Sequence, residues 1–136
     1  MAEQTMNARR VTAVLRETGD DMVVLAIPET NYLLHLKVLK APTTPVGKRI
    51  TGIIQVQARR IDEVGSGGRY VEPVEGRPRR IQGSVIAIDP TDRTVTVNAG
   101  IPIVCKTDGR QKAEDFTVGD FVTMGVLPGG TFTPAV

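Results

Sequence analysis

The sequence is poor in aromatic residues, and this shortage limits the kind of core that the chain can build. Phe, Tyr and Trp together make up 4% of the 136 residues, and Trp is absent. Because 40% of the residues are hydrophobic, the core must be filled mainly by Val, Ile and Leu. β-Branched residues, Gly and Pro are abundant. This composition favours a turn-rich all-β chain over a helical one.

Cysteine, excess charge and long apolar runs are also lacking. Cys105 is the one cysteine, which excludes an intrachain disulfide and a cysteine-based zinc cluster. The formal net charge is only +2, so the total charge does not indicate a polyanion partner. Neither the first ten residues nor any later stretch has the apolar run of a signal peptide or a membrane span. We therefore expect a cytoplasmic protein that makes no membrane contact.

A series of short motifs occurs twice along the chain in the same order, which is the signature of a duplicated unit. The offset between the copies is 70 to 72 residues for most motifs and 62 for the last. The clearest matches are Arg9-Arg10-Val11 with Arg79-Arg80-Ile81, Val46-Gly47 with Val118-Gly119, and Gly67-Gly68-Arg69-Tyr70 with Gly129-Gly130-Thr131-Phe132. We predict a first copy over residues 1–75 and a second copy over residues 76–136.

Each copy is predicted to contain five strands separated by turns rich in Gly, Pro and Asp. The predicted strands are 9–18, 22–27, 31–40, 48–61 and 69–72 in the first copy, and 79–88, 93–98, 101–107, 120–127 and one beginning at Thr131 in the second. A single helical turn is expected within 111–117. Five strands with a longer connection before the fourth are typical of an OB-like barrel. The predicted fold is therefore all-β, with two tandem small five-stranded OB-like β-barrels. An SH3-like barrel or one pseudo-symmetric barrel is the alternative.

Three segments of the second copy, Ile81–Asp89, Arg93–Val97 and Phe116–Val122, carry a family resemblance. They resemble a widespread bacterial domain of unknown function that has an OB-like barrel. The first copy departs from that pattern at Gly47-Lys48, where Gly-Asp would be expected. The resemblance implies a fold and no activity, because a fold does not fix a function.

No combination of residues is typical of catalysis or of a metal site. His35 is predicted on a polar strand face without a Ser, Cys or Asp partner, and Cys105 lies in an apolar strand where a thiol is usually inert. The carboxylate pairs lie at predicted turns, and Gly65-Ser66-Gly67-Gly68 lacks the Lys and the helix of a phosphate-binding loop. We predict a non-enzymatic protein with no catalytic residue, metal, cofactor or small-molecule substrate.

Two functions then compete. The first is an interaction or assembly module that binds a protein partner or itself as a homo-oligomer, since small barrels bury little surface alone. The alternative is a single-stranded nucleic-acid-binding OB-fold protein that uses a basic surface with a stacking ring. The residues predicted to form that surface are Arg9, Arg10, Lys48, Arg49, Arg59, Arg60, Arg69, Tyr70, Arg79 and Arg80.

Overall fold

The computed structural model describes residues 8–135, and these residues form a mixed all-β sheet of eleven strands. The strands are β1 (Arg10–Thr18), β2 (Met22–Ala26), β3 (Leu33–Lys37), β4 (Arg49–Glu63), β5 (Tyr70–Glu72), β6 (Glu75–Gly76), β7 (Arg80–Asp89), β8 (Thr94–Asn98), β9 (Pro102–Lys106), β10 (Phe121–Val126) and β11 (Thr131–Pro134). One 3₁₀ turn, Ala113–Asp115, precedes β10. The prediction of an all-β chain is confirmed.

The strand pattern follows the alternation of apolar and polar residues in the sequence. In β4 every second residue from Ile50 to Ala58 is buried, and the residues between them face outwards. In β3 the buried residues are Leu34 and Leu36, while His35 is half-buried on the other face. Successive side chains of a strand point to opposite faces, so each such run supplies one core face. Both strands therefore bury one face and turn the other outwards.

Two details of the predicted strands are wrong. The third strand was expected over 31–40, but it ends at Lys37, and the chain leaves the sheet before Leu39. The short strand β6 has too few residues to show a period in the sequence, and it pairs in parallel with β3. Both differences arise at connections, where main-chain pairing decides the structure and side-chain periodicity carries no signal.

The strand pairings form two closed cycles that share β4. In the first, called the first ring, β1 pairs with β2, β2 with β3, β3 with β11, β11 with β4 and β4 with β1. In the second ring, β4 pairs with β10, β10 with β7, β7 with β8, β8 with β9 and β9 with β4. The fifteen residues of β4 allow its first part to serve the first ring and its last part the second.

The two rings have the same strand register. In the first ring Val11 of β1 pairs with Gly52 of β4, and Ala13 pairs with Ile50. The equivalent residues lie 70 positions later on β7 and 72 positions later on β10. They pair in the same way: Ile81 with Met124, and Gly83 with Val122. Both first hairpins also contain a bulge at the same place, between Leu15 and Glu17 and between Val85 and Ala87.

The turn that leads into β4 in the first ring is the same as the turn that leads into β10 in the second ring. Leu15 bonds through its N–H to the Lys48 carbonyl and through its C=O to the Gly47 N–H, at 3.0 and 2.7 Å. In the same way, Val85 donates through its N–H to the Asp120 carbonyl and accepts through its C=O from the Gly119 N–H, at 2.8 and 2.9 Å. Gly47 and Gly119 have φ angles of 92° and 102°, a region that glycine enters without a steric cost. The recurring glycine is thus required by the turn.

The last strands are not placed as the sequence suggested. The strand at 69–72 was assigned to the first copy, but it forms β5, which pairs with β7 of the second ring. The last strand of the chain, β11, was assigned to the second copy, yet it pairs with β4 and β3 in the first ring. The end of β4 correspondingly pairs with β9 and β10 in the second ring. Pairing partners of this kind depend on long-range packing, which local sequence patterns do not encode.

The core is one continuous cluster of buried residues contributed by both halves of the chain. Its largest fully buried side chain is Phe132 of β11, and Ile54, Ile61, Ile81 and Met124 are also fully buried. Aliphatic residues supply most of this cluster, as the shortage of aromatic residues predicted. The division of the chain at residues 75 and 76 stays a prediction, although strand pairings and core contacts cross it.

Candidate functional site

The ten residues predicted to bind nucleic acid fall into separate groups in the structure. Half of them lie on the outer face of β5, β7, β10 and the end of β4, which we call the arginine face: Arg59, Arg60, Arg69, Tyr70 and Arg80. All four arginines are exposed, and Tyr70 is half-buried. The strand order therefore gathers residues that are up to 21 positions apart in the sequence.

Arg80 lies at the middle of the arginine face. It pairs with Glu72 of β5 on one side and with Gly125 of β10 on the other. Opposite Gly125, a bulge in β4 carries both Arg59 and Arg60. A Cβ atom on Gly125 would lie 3.5 Å from the Cδ atom of Arg59. The side chain of Arg59 therefore extends over a residue that has no side chain, next to Arg80 on the neighbouring strand.

Tyr70 and Arg69 are held against β7 by side-chain hydrogen bonds. The hydroxyl of Tyr70 donates to Oε1 of Gln82 at 3.3 Å, and Nη2 of Arg69 donates to Oγ of Ser84, also at 3.3 Å. Ser84 pairs with Phe121 of β10, a second half-buried aromatic residue. The arginine face thus has two aromatic residues beside its four guanidinium groups.

Two carboxylates share this face. Nε of Arg60 donates to Oδ1 of Asp62 at 2.8 Å, and the two side chains are 81% and 52% exposed. An ion pair so open to water contributes little, and it leaves the guanidinium accessible to another anion. Glu72 lies across from Arg80. With four guanidinium groups against two carboxylates, the face keeps an excess of positive charge.

A second basic group lies at the other end of β4. Arg10 of β1 pairs with Ile53, and Arg49 pairs with Val14, with Lys48 next to it in the chain. Arg59 in the bulge of β4 is ten positions from Arg49, about 33 Å along an extended strand, and six positions from Ile53, the partner of Arg10, about 20 Å. These three basic residues therefore do not extend the arginine face.

Arg9 and Arg79 have their own surroundings. Nη2 of Arg9 lies 3.5 Å from Oγ1 of Thr94, and its buried Nε has no hydrogen-bond partner among the described residues. Arg79 lines a separate depression together with Glu75 and Pro128. The sequence placed both residues in one basic surface, but the surroundings of their side chains differ from those of the arginine face, although Arg79 directly precedes Arg80 in the chain.

Cys105 and His35, the two residues considered for catalysis, differ in their access to solvent. Cys105 is fully buried, and its burial strongly raises the pKa of the thiol. Its Sγ donates to the carbonyl of Ile103 at 3.5 Å, as expected for a thiol that fills the core. His35 is half-buried and borders two shallow depressions, so it is less open to water than the sequence suggested. The absence of catalytic residues stays a prediction.

The carboxylates serve local structure where they contact the main chain. Asp89 accepts the N–H of Asp92 at 3.1 Å, and Asp115 accepts the N–H of Lys112 at 2.9 Å. Glu63 at the end of β4 adjoins Asp120, a pair that the sequence did not indicate because 57 positions separate them. Among residues 8–135, no three Asp, Glu, His or Cys side chains are grouped as a metal site would require.

An apolar groove that the sequence did not indicate lies between the end of β3 and β11. Its volume is about 670 Å³. Leu39 stands beside it fully exposed. The groove is lined by Asp21, the segment 37–43 and the segment 131–135. It exists because β3 and β11 pair through a single residue pair, Lys37 with Thr131, and diverge beyond it. Leu39 was expected in a strand, so its exposure could not be predicted.

No protein-family model, curated protein or solved structure matches the chain. The resemblance of the second copy to a bacterial OB-like family therefore stays a prediction. In the part of the chain that the structure describes, no helix has the length and apolar character needed to cross a bilayer. Residues 1–7, which contribute to the prediction of no signal peptide, lie outside the described residues.

Proposed function

We propose that the chain is a non-enzymatic interaction module made of two five-stranded OB-like barrels. Each ring of paired strands forms one barrel, and each barrel is completed by strand residues from the other copy: β11 completes the first, and the end of β4 completes the second. The equal registers of β1–β4 and β7–β10 support this duplication. Completion of each barrel by the other copy explains how two units of marginal size form one stable core.

The module self-associates through the apolar groove beside Leu39, and the partner is a second copy of the chain. The observation that carries this proposal is a fully exposed leucine next to an unfilled groove of about 670 Å³. A two-fold dimer needs a surface that is complementary to itself, and a projecting side chain next to a recess provides one. The charges of the groove lining support the same partner. Asp21 and Lys40 carry opposite charges, and a two-fold axis can pair Asp21 of one copy with Lys40 of the other.

Sedimentation velocity over a range of protein concentrations tests the self-association. The wild type should form dimers, and L39E should shift the chain to monomers because a carboxylate cannot enter an apolar groove. V46E is the matched control, since Val46 is also an exposed apolar residue but does not line the groove. A wild type that is monomeric at every concentration, or equal effects of L39E and V46E, contradicts the proposal.

Single-stranded nucleic acid is the second candidate ligand, and the arginine face is the observation that favours it. Four exposed arginines and two aromatic residues on neighbouring strands match the combination of phosphate contacts and base stacking that such proteins use. The face belongs to the second ring and the apolar groove to the first. The two candidate functions are therefore compatible in one molecule.

Fluorescence anisotropy with labelled single-stranded oligonucleotides tests this candidate. Binding should weaken steeply from low to moderate salt, because phosphate contacts release counterions. The double variant R59E/R60E should abolish binding, whereas R10E/R49E changes the net charge equally at the distant basic group and should retain most of it. Absence of binding at low salt eliminates the candidate, and equal losses in both variants eliminate the arginine face as its site.

A further inference from the structure

A small notch lies along the edge of β3 that faces away from β2. Two strands, β6 and β11, each pair with part of this edge. β6 pairs with Leu33 and Leu34, and β11 pairs with Lys37. His35 and Leu36 form the floor of the notch between them. Its volume is about 180 Å³. The notch is separate from the apolar groove, although Asp21 and Lys37 border both.

The main chain of His35 borders this notch, but it belongs to the strand ladder, where His35 stands opposite Val24 of β2. Leu34 and Leu36 pair with β2, and the Val38 N–H donates to the Asp21 carbonyl at 2.9 Å, so even-numbered residues bond towards β2. The odd-numbered residues face the other edge, where Leu33 and Lys37 donate to the carbonyls of Val74 and Gly130. On that edge the parallel pairing of Leu34 with Gly76 sets the His35 N–H against the Gly76 carbonyl, so the groups left to bind a ligand in the notch are side chains.

Basic side chains surround the same space. Arg77 directly follows β6, and the imidazole of His35 and the side chain of Lys37 also line the notch. A Cβ atom on Gly129 would lie 3.8 Å from Nζ of Lys37, so the ammonium group lies above a residue that has no side chain. Asp21 is the one acidic residue of the lining. Within the described chain, neither Lys37 nor Arg77 has an ion pair.

The second ring lacks this notch for a reason that its register shows. Lys106 pairs with Gln57 as Lys37 pairs with Thr131. Two residues before Lys106 and Gln57, Val104 pairs with Gln55 in the second ring. Two residues before Lys37 and Thr131, the first ring has His35 and Gly129. The second ring therefore has the side chains of a valine and a glutamine at the positions where the first ring has a histidine and a glycine, which has no side chain. The opening is specific to the first ring, so the duplication alone does not produce it.

We propose that the notch binds a phosphate group. The side chains of His35, Lys37 and Arg77 are donors that line one space, and charge-assisted bonds from such donors are the strong ones for oxyanions. Gly129 allows the anion to approach the main chain closely. Arg77 belongs neither to the apolar groove nor to the arginine face, so R77A tests the notch separately from the self-association and from nucleic-acid binding.

His35 makes the test direct, because it is the one histidine of the chain and its imidazole gives one set of NMR signals. Titration of the full chain with inorganic phosphate, at constant ionic strength set by chloride, should shift these signals along a saturable curve. R77A and K37Q should each weaken binding by about tenfold, the loss expected for one charge-assisted bond. R110A removes an exposed arginine that does not line the notch and should leave the affinity unchanged.

A shift that grows linearly without saturation overturns the proposal, as does a saturable shift that neither R77A nor K37Q alters. Saturation by acetate without saturation by phosphate also overturns it. The dispersion of the amide spectrum shows whether each variant is folded. If R77A disturbs the fold, the exposed K37Q substitution decides the outcome.

Discussion

The side-chain amide of Gln111 bonds to both main-chain groups of Ile61. Its Oε1 accepts the Ile61 N–H at 2.8 Å, and its Nε2 donates to the Ile61 carbonyl at 2.9 Å. Ile61 lies in β4 beyond Gln57, where the pairing with β9 ends. Gln111 therefore takes the place of a strand neighbour and continues the edge of the second ring by one more pair of bonds.

Replacing Gln111 should destabilise the protein. In Q111A both main-chain groups of the half-buried contact lose their partner, so the free energy of unfolding should fall by about 1–3 kcal/mol. Q55A is the control, because no side-chain hydrogen bond of Gln55 is found within residues 8–135. Urea denaturation followed by circular dichroism gives both values. A loss in Q111A no larger than that in Q55A would show that the paired bonds contribute nothing.

Gly52 is predicted to be essential for the docking of β11. A Cβ atom at this position would overlap the carbonyl oxygen of Thr133 and the ring of Phe132. G52A should therefore displace β11 from β4 and destabilise the fold by roughly 1–3 kcal/mol or more, since overpacked cores respond in this range. G65A is the control, because no atom lies within 4 Å of a Cβ at Gly65. Hydrogen exchange of the β11 amides should accelerate in G52A alone.

Thr123 offers a substitution that should stabilise the protein. Its side chain is buried on β10, and Oγ1 has no hydrogen-bond partner in the described structure. T123V keeps the shape and removes the unpaired hydroxyl, so the free energy of unfolding should rise by roughly 1 kcal/mol. T107V is the opposite case, because Oγ1 of Thr107 donates to the Arg93 carbonyl at 3.2 Å. Thermal unfolding should move in opposite directions in the two variants, and a destabilised T123V would refute the argument.

The strands were predictable from the sequence because each carries its own signal. β1, β4 and β7 alternate apolar and polar residues over nine to fifteen positions, and the turns contain Gly, Pro and Asp. The pairing of β5 with β7 and of β11 with β3 and β4 carries no local signal. β5 and β11 are only three and four residues long, so their partners depend on which edge the folded core leaves open.

The candidate site was predictable to the same extent. Arg59, Arg60 and Arg69 stand out in the sequence as basic residues near predicted strand ends, but only the pairing of β7 with β10 places Arg80 beside them. The notch at His35 could not be foreseen, because it depends on where β6 ends and β11 begins along one edge. Sequence patterns describe faces of strands, and this notch is a property of an edge.

Glu63 and Asp120 predict how stability depends on pH. A hydrogen bond with the Asp120 side chain, the negative charge of Asp120 and a smaller loss of hydration raise the pKa of Glu63 above its ordinary value of 4.5. The folded state therefore binds more protons than the unfolded state between pH 4.5 and the raised pKa, and stability falls as the pH rises through that window.

E63Q removes the titration and should gain stability relative to the wild type as the pH increases from 4 to 7. Added salt should reduce this difference, because both groups are exposed to screening. E17Q, on an exposed residue of β1 remote from Asp120, controls for the loss of one charge. Parallel curves of unfolding free energy against pH for the wild type and E63Q would show that the two carboxylates do not interact.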